Sequence, residues 1–236
     1  MPETEHLRSL NLQFNKADCR DNVAENYRII ASSQGFRAED VICVRQEHTD
    51  RIIAVDRALA EDRPPFILDE TADALVTNIN GVLLSVRTAD CVPILLYDGA
   101  VRAIGAAHSG WRGTFMQIAA KTTRRMADLY GANPADVRAS IGPAIGVCCY
   151  EVDFGFYEQF RKEYGASIEA FFQIRPGKKP FCDLSAMNKS FLIEAGVPEK
   201  NICVSELCTM CNPKLFYSHR RSGFHRGTMA AFIGMR

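Results

Sequence analysis

The sequence predicts an α+β protein in which mixed β-sheets are layered against helices. Short apolar runs rich in β-branched residues are typical of strands, and longer segments with a helical period lie between some of them. The two kinds of segment do not alternate regularly, as they would in a βαβ protein, and tight turns join several strands. The 236 residues contain no repeat and no long linker, so we expect a single domain over residues 1–236.

The individual elements follow from this periodicity. Strands are predicted at Val41–Arg45, Ala74–Thr77, Val82–Val86, Pro93–Tyr97, Val101–Ala107, Arg138–Ile141 and Asn201–Val204. Helices are predicted at Asn22–Gln34, Phe115–Tyr130, Phe154–Tyr164 and Leu184–Ala195. Loops are predicted at Pro64-Pro65 and Arg175–Pro180. Asp98-Gly99 is typical of a hairpin turn. Gly35 and Gly131 stand where a helix would end, and Thr114 and Asp183 are expected N-caps.

Composition and charge exclude several classes of protein. The 28 Lys and Arg residues balance 28 Asp and Glu residues, so there is no basic field to attract nucleic acid. No run approaches the 18 or so apolar residues of a membrane helix, and the polar, acidic N-terminus does not resemble a signal peptide. Nine cysteines without the spacing of a disulfide framework indicate free thiols and a cytoplasmic protein.

Three residues of the kind that bind zinc stand at the ends of predicted strands, namely His48, Cys91 and His108. Because strand ends can lie side by side, this spacing indicates a zinc site with three protein ligands and a fourth position open to water, as in catalytic sites. On spacing alone, a metal-free dyad in which His108 activates Cys91 as a nucleophile is an equal alternative. Ordinary packing of a half-buried cysteine is a third interpretation.

A turn of small residues after His108 is the second candidate for chemistry. Backbone N–H groups around Gly110 and Gly113, at the start of a predicted helix, would form an anion site to which Arg112 adds positive charge. The alternative is a tight turn in which glycine supplies a positive φ angle.

Two further cysteine motifs carry weaker signals. Cys208-Thr209-Met210-Cys211 has the spacing of a zinc knuckle or a redox motif, but no second motif of this kind follows, which favours a structural role. Cys148 and Cys149 are adjacent and would point to opposite faces of a strand, so we do not expect both to bind one metal ion.

Several motifs, in order along nearly the whole chain, resemble one family. They are Ser9-Leu10-Asn11-Leu12, Thr88-Ala89-Asp90-Cys91-Val92-Pro93, Ala107-His108-Ser109-Gly110-Trp111-Arg112-Gly113, Ile141-Gly142-Pro143-Ala144-Ile145, Cys148-Cys149-Tyr150-Glu151-Val152 and the tail Cys208 to Arg221. The family was long labelled multicopper polyphenol oxidase or laccase-domain. It is now regarded as zinc-dependent purine nucleoside phosphorylases with adenosine deaminase and methylthioadenosine phosphorylase activities, and some bacterial members are described as peptidoglycan editing factors.

The resemblance implies a fold, a metal site and a reaction. The expected fold is of the αββα type, similar to bacterial toxin deamidases that use a Cys–His pair, and the expected zinc ligands are His48, Cys91 and His108. The expected substrates are inorganic phosphate and a purine nucleoside such as adenosine, inosine or methylthioadenosine, with adenosine deamination in the same pocket. For the anion we expect Arg112 with the turn at Gly110 and Gly113.

Two residues complete these expectations. Arg28 is a weaker candidate for binding the anion. Asp90 is the nearest candidate acid or base, or else it orients a metal ligand.

The sequence departs from the family pattern at three places. Family members usually have an N-terminal strand that ends in a Thr-Arg-Gly-Gly-type segment before the Leu-Asn-Leu motif, whereas here only eight residues precede Ser9, so we expect an edge strand and a substrate-contacting Arg to be missing. The usual Gln-Val-His-Gly segment reads Gln46-Glu47-His48-Thr49, and the usual Gly-Arg-Met segment reads Arg226-Gly227-Thr228-Met229. We therefore expect altered substrate contacts more than altered metal binding.

Other functions are possible on the same residues. A peptidoglycan-precursor editing amidase could use the same Cys, His and zinc site on a larger substrate. A copper polyphenol oxidase fits poorly, because five histidines cannot build both a blue-copper site and a trinuclear cluster. A non-enzymatic binding module would leave the open metal position unexplained.

Overall fold

A computed structural model describes residues 7, 10–14, 18–61, 66–174 and 176–236. Its strands are β1 (Val41–Arg45), β2 (Ile52–Ala54), β3 (Phe66–Thr71), β4 (Ala74–Thr77), β5 (Leu83–Thr88), β6 (Val92–Asp98), β7 (Ala103–Ser109), β8 (Arg138–Ile141), β9 (Phe172–Gln173), β10 (Phe181–Cys182), β11 (Ile202–Val204) and β12 (Met229–Gly234). Its α-helices are α1 (Arg20–Ser33), α2 (Arg57–Glu61), α3 (Trp111–Phe115), α4 (Ile118–Tyr130), α5 (Phe154–Tyr164), α6 (Leu184–Glu194) and α7 (His219–Ser222). Ser9, Pro64-Pro65 and Arg175, which belong to segments interpreted above, lie outside the described residues.

Two mixed sheets pack face to face between layers of helix. The four-stranded sheet has the order β12-β5-β1-β3, and the six-stranded sheet has the order β11-β8-β6-β7-β4-β2. Each sheet contains both parallel and antiparallel neighbours. Buried side chains of the first sheet, including Ile42 and Leu84, form one apolar cluster with Leu75 and Ile104 of the second. The predicted fold class, layered mixed sheets flanked by helices, is confirmed.

Helix α1 covers the outer face of the four-stranded sheet. Its fully buried residues Val23, Tyr27 and Ala31 recur every four positions and therefore share one face of the helix. They form an apolar cluster with Val41 and other residues of the sheet. Beyond the end of α1, Gly35 adopts a φ of 73°, which agrees with its predicted role as a helix stop.

Helices α4 and α6 cover the outer face of the six-stranded sheet. Fully buried Ile118 and Met126 of α4 lie in one cluster with apolar residues of β4, β6 and β8. Gly131, with a φ of 72°, follows the end of α4 as predicted. The predicted N-cap of α6 is also confirmed, because the Asp183 carboxylate accepts the backbone N–H of Ala186 at 2.8 Å.

The predicted helix at Phe115–Tyr130 is instead two helices. Helix α3 ends at Phe115, and Gln117, with a φ of 56°, turns the chain before α4 begins. Thr114 is not an N-cap, because it lies inside α3 and its hydroxyl accepts a hydrogen bond from the Asn188 amide at 2.9 Å. A buried contact to α6 thus sets the role of this threonine, and the local sequence does not reveal that contact.

The β6–β7 hairpin has a longer turn than the Asp-Gly pair predicts. Asp98 pairs with Ala103, so residues 99–102 form the turn and β7 begins two residues later than expected. The Asp98 carboxylate accepts the backbone N–H of Ala100 at 2.8 Å, and Arg102 rather than Gly99 has the positive φ, 50°. The carboxylate therefore organises this turn through its side chain.

Sequence analysis missed strands β2, β3, β9, β10 and β12 and helices α2 and α7. One of the missed strands, β12, pairs antiparallel with β5 over its whole length, from Met229 opposite Thr88 to Gly234 opposite Leu83. Its sequence of small and apolar residues does not alternate, so its strand conformation depends on this partner. Within the described ranges, no helix is long and apolar enough to cross a membrane.

Candidate functional site

The sheet topology brings His48, Cys91 and His108 together, and we call these three residues the triad. In the β6–β7 hairpin, Pro93 pairs with His108, so Cys91, just before β6, lies beside the end of β7. His48 lies in the loop between β1 and β2, which belong to different sheets. The triad therefore forms where one end of the hairpin meets the loop that connects the two sheets.

The spacing of the triad fits a tetrahedral metal ion. The nitrogen and sulfur atoms that could bind a metal all lie within 4.8 Å of one another. Cys91 Sγ and His48 Nε2 are 3.6 Å apart. Zinc, with bonds of about 2.0 Å to nitrogen and 2.3 Å to sulfur, would separate such a pair by about 3.5 Å in tetrahedral geometry. Three protein ligands leave the fourth position of such an ion open.

Asp73, which sequence analysis missed, orients His108. In the β4–β7 pairing Ala74 lies opposite Ala107, so Asp73 lies next to His108, and its Oδ1 atom is 2.8 Å from His108 Nδ1. This contact leaves Nε2 as the ring nitrogen available to a metal ion, an arrangement common in metalloproteins. The sequence gives no clear signal for this role, because Asp73 follows Asp69, Glu70 and Thr71 in a polar stretch before β4, and its full burial is evident only in the structure.

Asp73 also shapes the loop that carries His48. Its carboxylate accepts the backbone N–H groups of Glu47, His48 and Thr49, at 3.2, 3.1 and 2.6 Å, and the Thr49 hydroxyl at 2.9 Å. His48 has a φ of 61°, a left-handed conformation that costs a non-glycine residue about 1–3 kcal/mol. Hydrogen bonds to an ionised acceptor contribute about 1.5–3 kcal/mol each, enough to offset that cost.

Without a metal ion, the triad favours a thiolate beside an imidazolium. Burial alone would raise the pKa of the Cys91 thiol, but the charge and hydrogen bonds of His108 and His48 lower it to about 6. Burial alone would lower the pKa of His108, but the Cys91 thiolate and the Asp73 carboxylate raise it to about 9. Near neutral pH, a metal ion that binds the triad would therefore displace a proton from His108 rather than from Cys91.

Gly110 lies against the triad, where no larger residue fits. Its φ of −70° and ψ of −177° are open to any residue, so the interpretation that this glycine supplies a positive φ is wrong. A Cβ atom at Gly110 would lie 2.7 Å from His48 Cδ2 and 2.9 Å from Cys91 Sγ. The glycine is therefore required for the close approach of the turn to two of the metal-binding side chains.

A cavity of about 490 Å³ opens beside the triad. It is lined by His48, Ala89, Asp90, Cys91, Trp111, Arg112, Ile145, Tyr150, Leu184, His219, Arg220, Phe224 and Arg226. This volume lies within the range of about 300–1,000 Å³ that is typical of small-molecule sites. Three aromatic side chains and three guanidinium groups line the same space, so it suits a flat, uncharged ring next to an anion.

The three arginines of the cavity differ in the hydrogen bonds that their guanidinium groups already make. Arg220 donates to the Glu151 carbonyl at 2.9 Å, and Arg226 donates to the Gly227 carbonyl at 3.0 Å. The Arg112 guanidinium stacks over the Trp111 ring at 4.5 Å and makes no hydrogen bond or ion pair with any described residue. Of the three, Arg112 is therefore the most available partner for an anion. Sequence analysis predicted Arg112 as a site residue but missed Arg220 and Arg226.

Three of the residues predicted to bind the anion, Arg28, Gly110 and Gly113, are not among the residues that line this cavity. Arg28 lies on the exposed side of α1, where it forms an ion pair with Glu25, and the structure does not bring it to the site. Gly113 is buried inside α3, where a Cβ atom would lie 3.2 Å from Ile118 Cγ2 and 3.3 Å from the His108 carbonyl oxygen. Close packing accounts for this glycine, and its contact with an anion stays a prediction.

Asp90 lines the cavity, but its carboxylate accepts hydrogen bonds from the C-terminal part of the chain. The donors are the hydroxyls of Thr209 and Ser218, at 2.6 and 3.0 Å, and the backbone N–H of Arg220 at 2.6 Å. The carboxylate that orients the triad is Asp73 rather than Asp90. Asp90, the residue before Cys91, thus ties the C-terminal segment to the start of β6, and its role as an acid or base stays a prediction.

Four other cysteines come together close to the cavity, contrary to expectation. Cys148 and Cys149 lie in a turn rather than a strand, and their Sγ atoms are 3.7 and 3.4 Å from Cys211 Sγ. With Cys208 they form a group whose sulfur atoms all lie within 4.8 Å of one another. The premise of an extended backbone at Cys148 and Cys149 was wrong, because the two residues lie in a turn. We call this group the four-cysteine cluster.

Comparison with known proteins gives consistent matches over the chain. Residues 3–236 match the family described as multi-copper polyphenol oxidoreductase laccase. Purine nucleoside phosphorylase YlmD of Geobacillus stearothermophilus is 38% identical over 234 residues, which cover 97% of this chain and 84% of the relative. Its crystal structure superposes with a TM-score of 0.87 at 36% identity, covering 97% of this chain and 85% of that one.

Two further relatives have related names but different lengths. Purine nucleoside phosphorylase LACC1 of Mus musculus is 32% identical over 98% of this chain, which spans only 52% of that relative. Adenosine deaminase RL5, from an unknown prokaryotic organism, is 36% identical over 84% of this chain and 76% of the relative.

Proposed function

The chain belongs to the multi-copper polyphenol oxidoreductase laccase family, and we propose that it is a zinc-dependent purine nucleoside phosphorylase that also deaminates adenosine. The names of the relatives support an enzyme acting on purine nucleosides. The observation that carries the proposal is the position of the triad in the wall of a cavity with aromatic and guanidinium groups. The cavity has the size and the chemistry for a nucleoside and phosphate together.

In this proposal the triad holds zinc through His48 Nε2, Cys91 Sγ and His108 Nε2. When bound, the ion supplies Lewis acidity at its open position next to the cavity. Asp73 holds His108 in the required orientation and fixes the loop of His48. A multicopper oxidase is not supported, because five histidines are too few for a trinuclear copper cluster in addition to this site.

Phosphorolysis requires the chain to bind an anion and a purine in line with each other. A phosphate oxygen forms a bond to the anomeric carbon as the bond from that carbon to the purine nitrogen breaks, and the electron pair leaves with the purine. We assign Arg112 to the phosphate, because its guanidinium has no other hydrogen-bonding partner among the described residues. Tyr150 and Trp111 line the same cavity and supply aromatic surface for the purine and the ribose. Holding both reactants in one orientation accounts for much of the acceleration in such reactions.

Chromatography of the products tests this proposal. Zinc-loaded protein is incubated with adenosine, with and without inorganic phosphate. Adenine and ribose 1-phosphate should form only with phosphate, and inosine should form in both samples. Intact adenosine in both samples would contradict the proposal and favour the amidase acting on peptidoglycan precursors, which hydrolysis of a muropeptide would then test.

The role of Arg112 is tested separately. Substitution Arg112→Ala should raise the KM for phosphate by about tenfold, the effect of losing about 1.4 kcal/mol from a charge-assisted contact, while the zinc content stays the same. Arg124→Ala is the matched control, because Arg124 is exposed on α4 and does not line the cavity. An unchanged KM for phosphate in Arg112→Ala would remove this residue from the anion site.

A further inference from the structure

The four-cysteine cluster joins two turns that are far apart in sequence. Cys148 and Cys149 follow the Gly146 turn, and Cys208 and Cys211 belong to the segment after β11. The Thr209 N–H donates to the Ala144 carbonyl at 2.9 Å, so the two segments are already adjacent at the backbone. Of the four cysteines, Cys208 is buried, Cys149 is half-buried and the other two are exposed.

The sulfur positions fit a tetrahedral ion. Zinc with four Zn–S bonds of about 2.3 Å separates its sulfur ligands by about 3.8 Å. Cys211 Sγ lies 3.4 Å from Cys149 Sγ and 3.7 Å from Cys148 Sγ, and all four sulfurs lie within 4.8 Å of one another. A single disulfide would unite two of these atoms and give no reason for the other two to converge on them.

The surrounding backbone favours thiolate ligands. The Gly146 N–H donates to Cys208 Sγ at 3.3 Å, a contact that stabilises negative charge on sulfur. A Cβ atom on Gly146 would lie 3.3 Å from both Cys148 Sγ and Cys208 Cβ, so glycine lets the two turns approach. Arg221 donates to the carbonyls of Thr209 and Met210, at 3.1 and 3.0 Å, and holds the second turn in place.

We propose that Cys148, Cys149, Cys208 and Cys211 bind a second zinc ion in a closed tetrathiolate site. With four protein ligands the ion has no open position, so its role is structural rather than catalytic. Each thiol loses its proton to solvent as the ion binds, and no redox step is involved. The proposal concerns residues outside the triad, and it does not depend on the reaction that the triad serves.

This ion would stabilise one wall of the cavity. Two residues of the first turn, Ile145 and Tyr150, line the cavity, and the Ile145 N–H donates to the Asp90 carbonyl at 2.9 Å. From the second turn, the Thr209 hydroxyl donates to the Asp90 carboxylate at 2.6 Å. Both turns therefore contact the residue before Cys91, and an ion between them would fix their separation.

Metal content per chain tests the proposal directly. Protein purified under reducing conditions with limiting zinc in the medium, and then loaded with zinc and desalted, should contain two zinc ions per chain. Cys211→Ser and His108→Ala should each contain one, and the double variant should contain none. Cys203→Ser is the matched control, because Cys203 is an exposed cysteine on β11 outside the cluster, and it should retain two.

Cobalt substitution identifies which site holds each ion. In His108→Ala, the remaining cobalt should give the intense sulfur-to-metal charge transfer of four thiolates. In Cys211→Ser, the remaining cobalt should give the weaker band of one thiolate. Because this spectrum is read from His108→Ala with an intact cluster, the test stands even if Cys211→Ser does not fold.

Two results would overturn the proposal. One is a single zinc ion in the unsubstituted protein that disappears in His108→Ala. The other is a count of seven free thiols in protein purified without reductant and then denatured and stripped of metal, since the chain has nine cysteines and a disulfide would remove two. Neither result bears on nucleoside phosphorolysis, which the product analysis above measures separately.

Discussion

The triad and the four-cysteine cluster differ in how the fold supplies their ligands. The triad takes one residue from a loop and two from strand ends, and the buried carboxylate of Asp73 fixes both of its histidines. The cluster takes all four ligands from two turns at the surface, where backbone N–H groups and Arg221 support them. The triad faces a cavity with three ligands, and the cluster closes on itself with four.

The number of protein ligands assigns catalysis to the triad and a structural role to the four-cysteine cluster. An ion with three protein ligands keeps a position for substrate or water, whereas an ion with four has none. The triad is also held more rigidly, because sheet register sets where Asp73 and His108 lie relative to each other. Substitutions at the triad should therefore change catalysis most, and substitutions at the cluster should change stability and the shape of the cavity wall.

Loss of a triad ligand should have the largest effect. We expect His108→Ala to lower phosphorolysis by about 10³-fold or more, as for residues that act as one catalytic unit, and to remove one zinc ion per chain. The variant should still unfold cooperatively near the melting temperature of the unsubstituted protein, because the four-cysteine cluster and both sheets are intact. Full retention of tight zinc at the triad would contradict the ligand assignment. Metal analysis and initial rates measured on the same sample provide this comparison.

The next largest effect should follow from Asp73→Asn. A neutral amide cannot support His108 and three backbone N–H groups as the carboxylate does, so we expect zinc affinity at the triad to fall by about 10- to 100-fold. Asp98→Asn is the matched control, because Asp98 is also fully buried and also accepts backbone N–H groups, at the far end of the β6–β7 hairpin. It should lose stability while its triad keeps the same zinc affinity. Competition with a chelator measures both affinities.

A smaller effect is expected from Gly110→Ala. The added methyl group would lie within 3 Å of His48 and Cys91, and relieving such a contact typically costs about 1–3 kcal/mol. We expect about a tenfold loss of zinc affinity at the triad. Gly155→Ala in α5 is the control, because nothing lies within 4 Å of its added methyl group, and its zinc affinity should not change. Equal affinities in the two variants would contradict close packing at Gly110.

The last prediction concerns the pH at which Cys91 becomes reactive toward an alkylating reagent. In metal-free protein the imidazoles lower the pKa of Cys91 to about 6, so its thiolate, the reactive form, is present above that pH. Burial and the neighbouring thiols instead raise the pKa of Cys148 to about 11. Iodoacetamide should therefore modify Cys91 with a midpoint near pH 6, against about 8.5 for a cysteine in a flexible peptide. Mass spectrometry of peptides identifies each site, and a midpoint near 8.5 for Cys91 would contradict the ion pair with His108.

The triad could be predicted because its ligands lie at features visible in the sequence. His48, Cys91 and His108 each stand at the end of a strand whose apolar pattern is clear, and β1, β4 and β8 have the predicted bounds. Asp73 was missed because a carboxylate in the polar stretch before a strand carries no information about the strand that will pair beside it. Only the β4–β7 register reveals that its neighbour is His108.

The cluster and the C-terminal contacts could not be predicted, because they depend on tertiary structure. The convergence of Cys148 and Cys149 on Cys211 follows from a turn held by hydrogen bonds to the Gly146 carbonyl, and periodicity does not indicate that turn. Asp90 likewise meets hydroxyl groups more than 100 residues away in sequence. Arg112 was predicted from local charge, whereas Arg28 was assigned without knowledge of which face of the sheets α1 covers.

Zinc titration of metal-free protein, with phosphate-dependent adenine formation measured after each addition, tests the central claim most directly. Four thiolates should bind the first equivalent more tightly than the triad binds the second. We predict no phosphorolysis without metal, little during the first equivalent, and a rise that reaches its plateau at two equivalents per chain. Activity in the metal-free protein, or a plateau already reached at one equivalent, would contradict the assignment of catalysis to the triad and structure to the four-cysteine cluster.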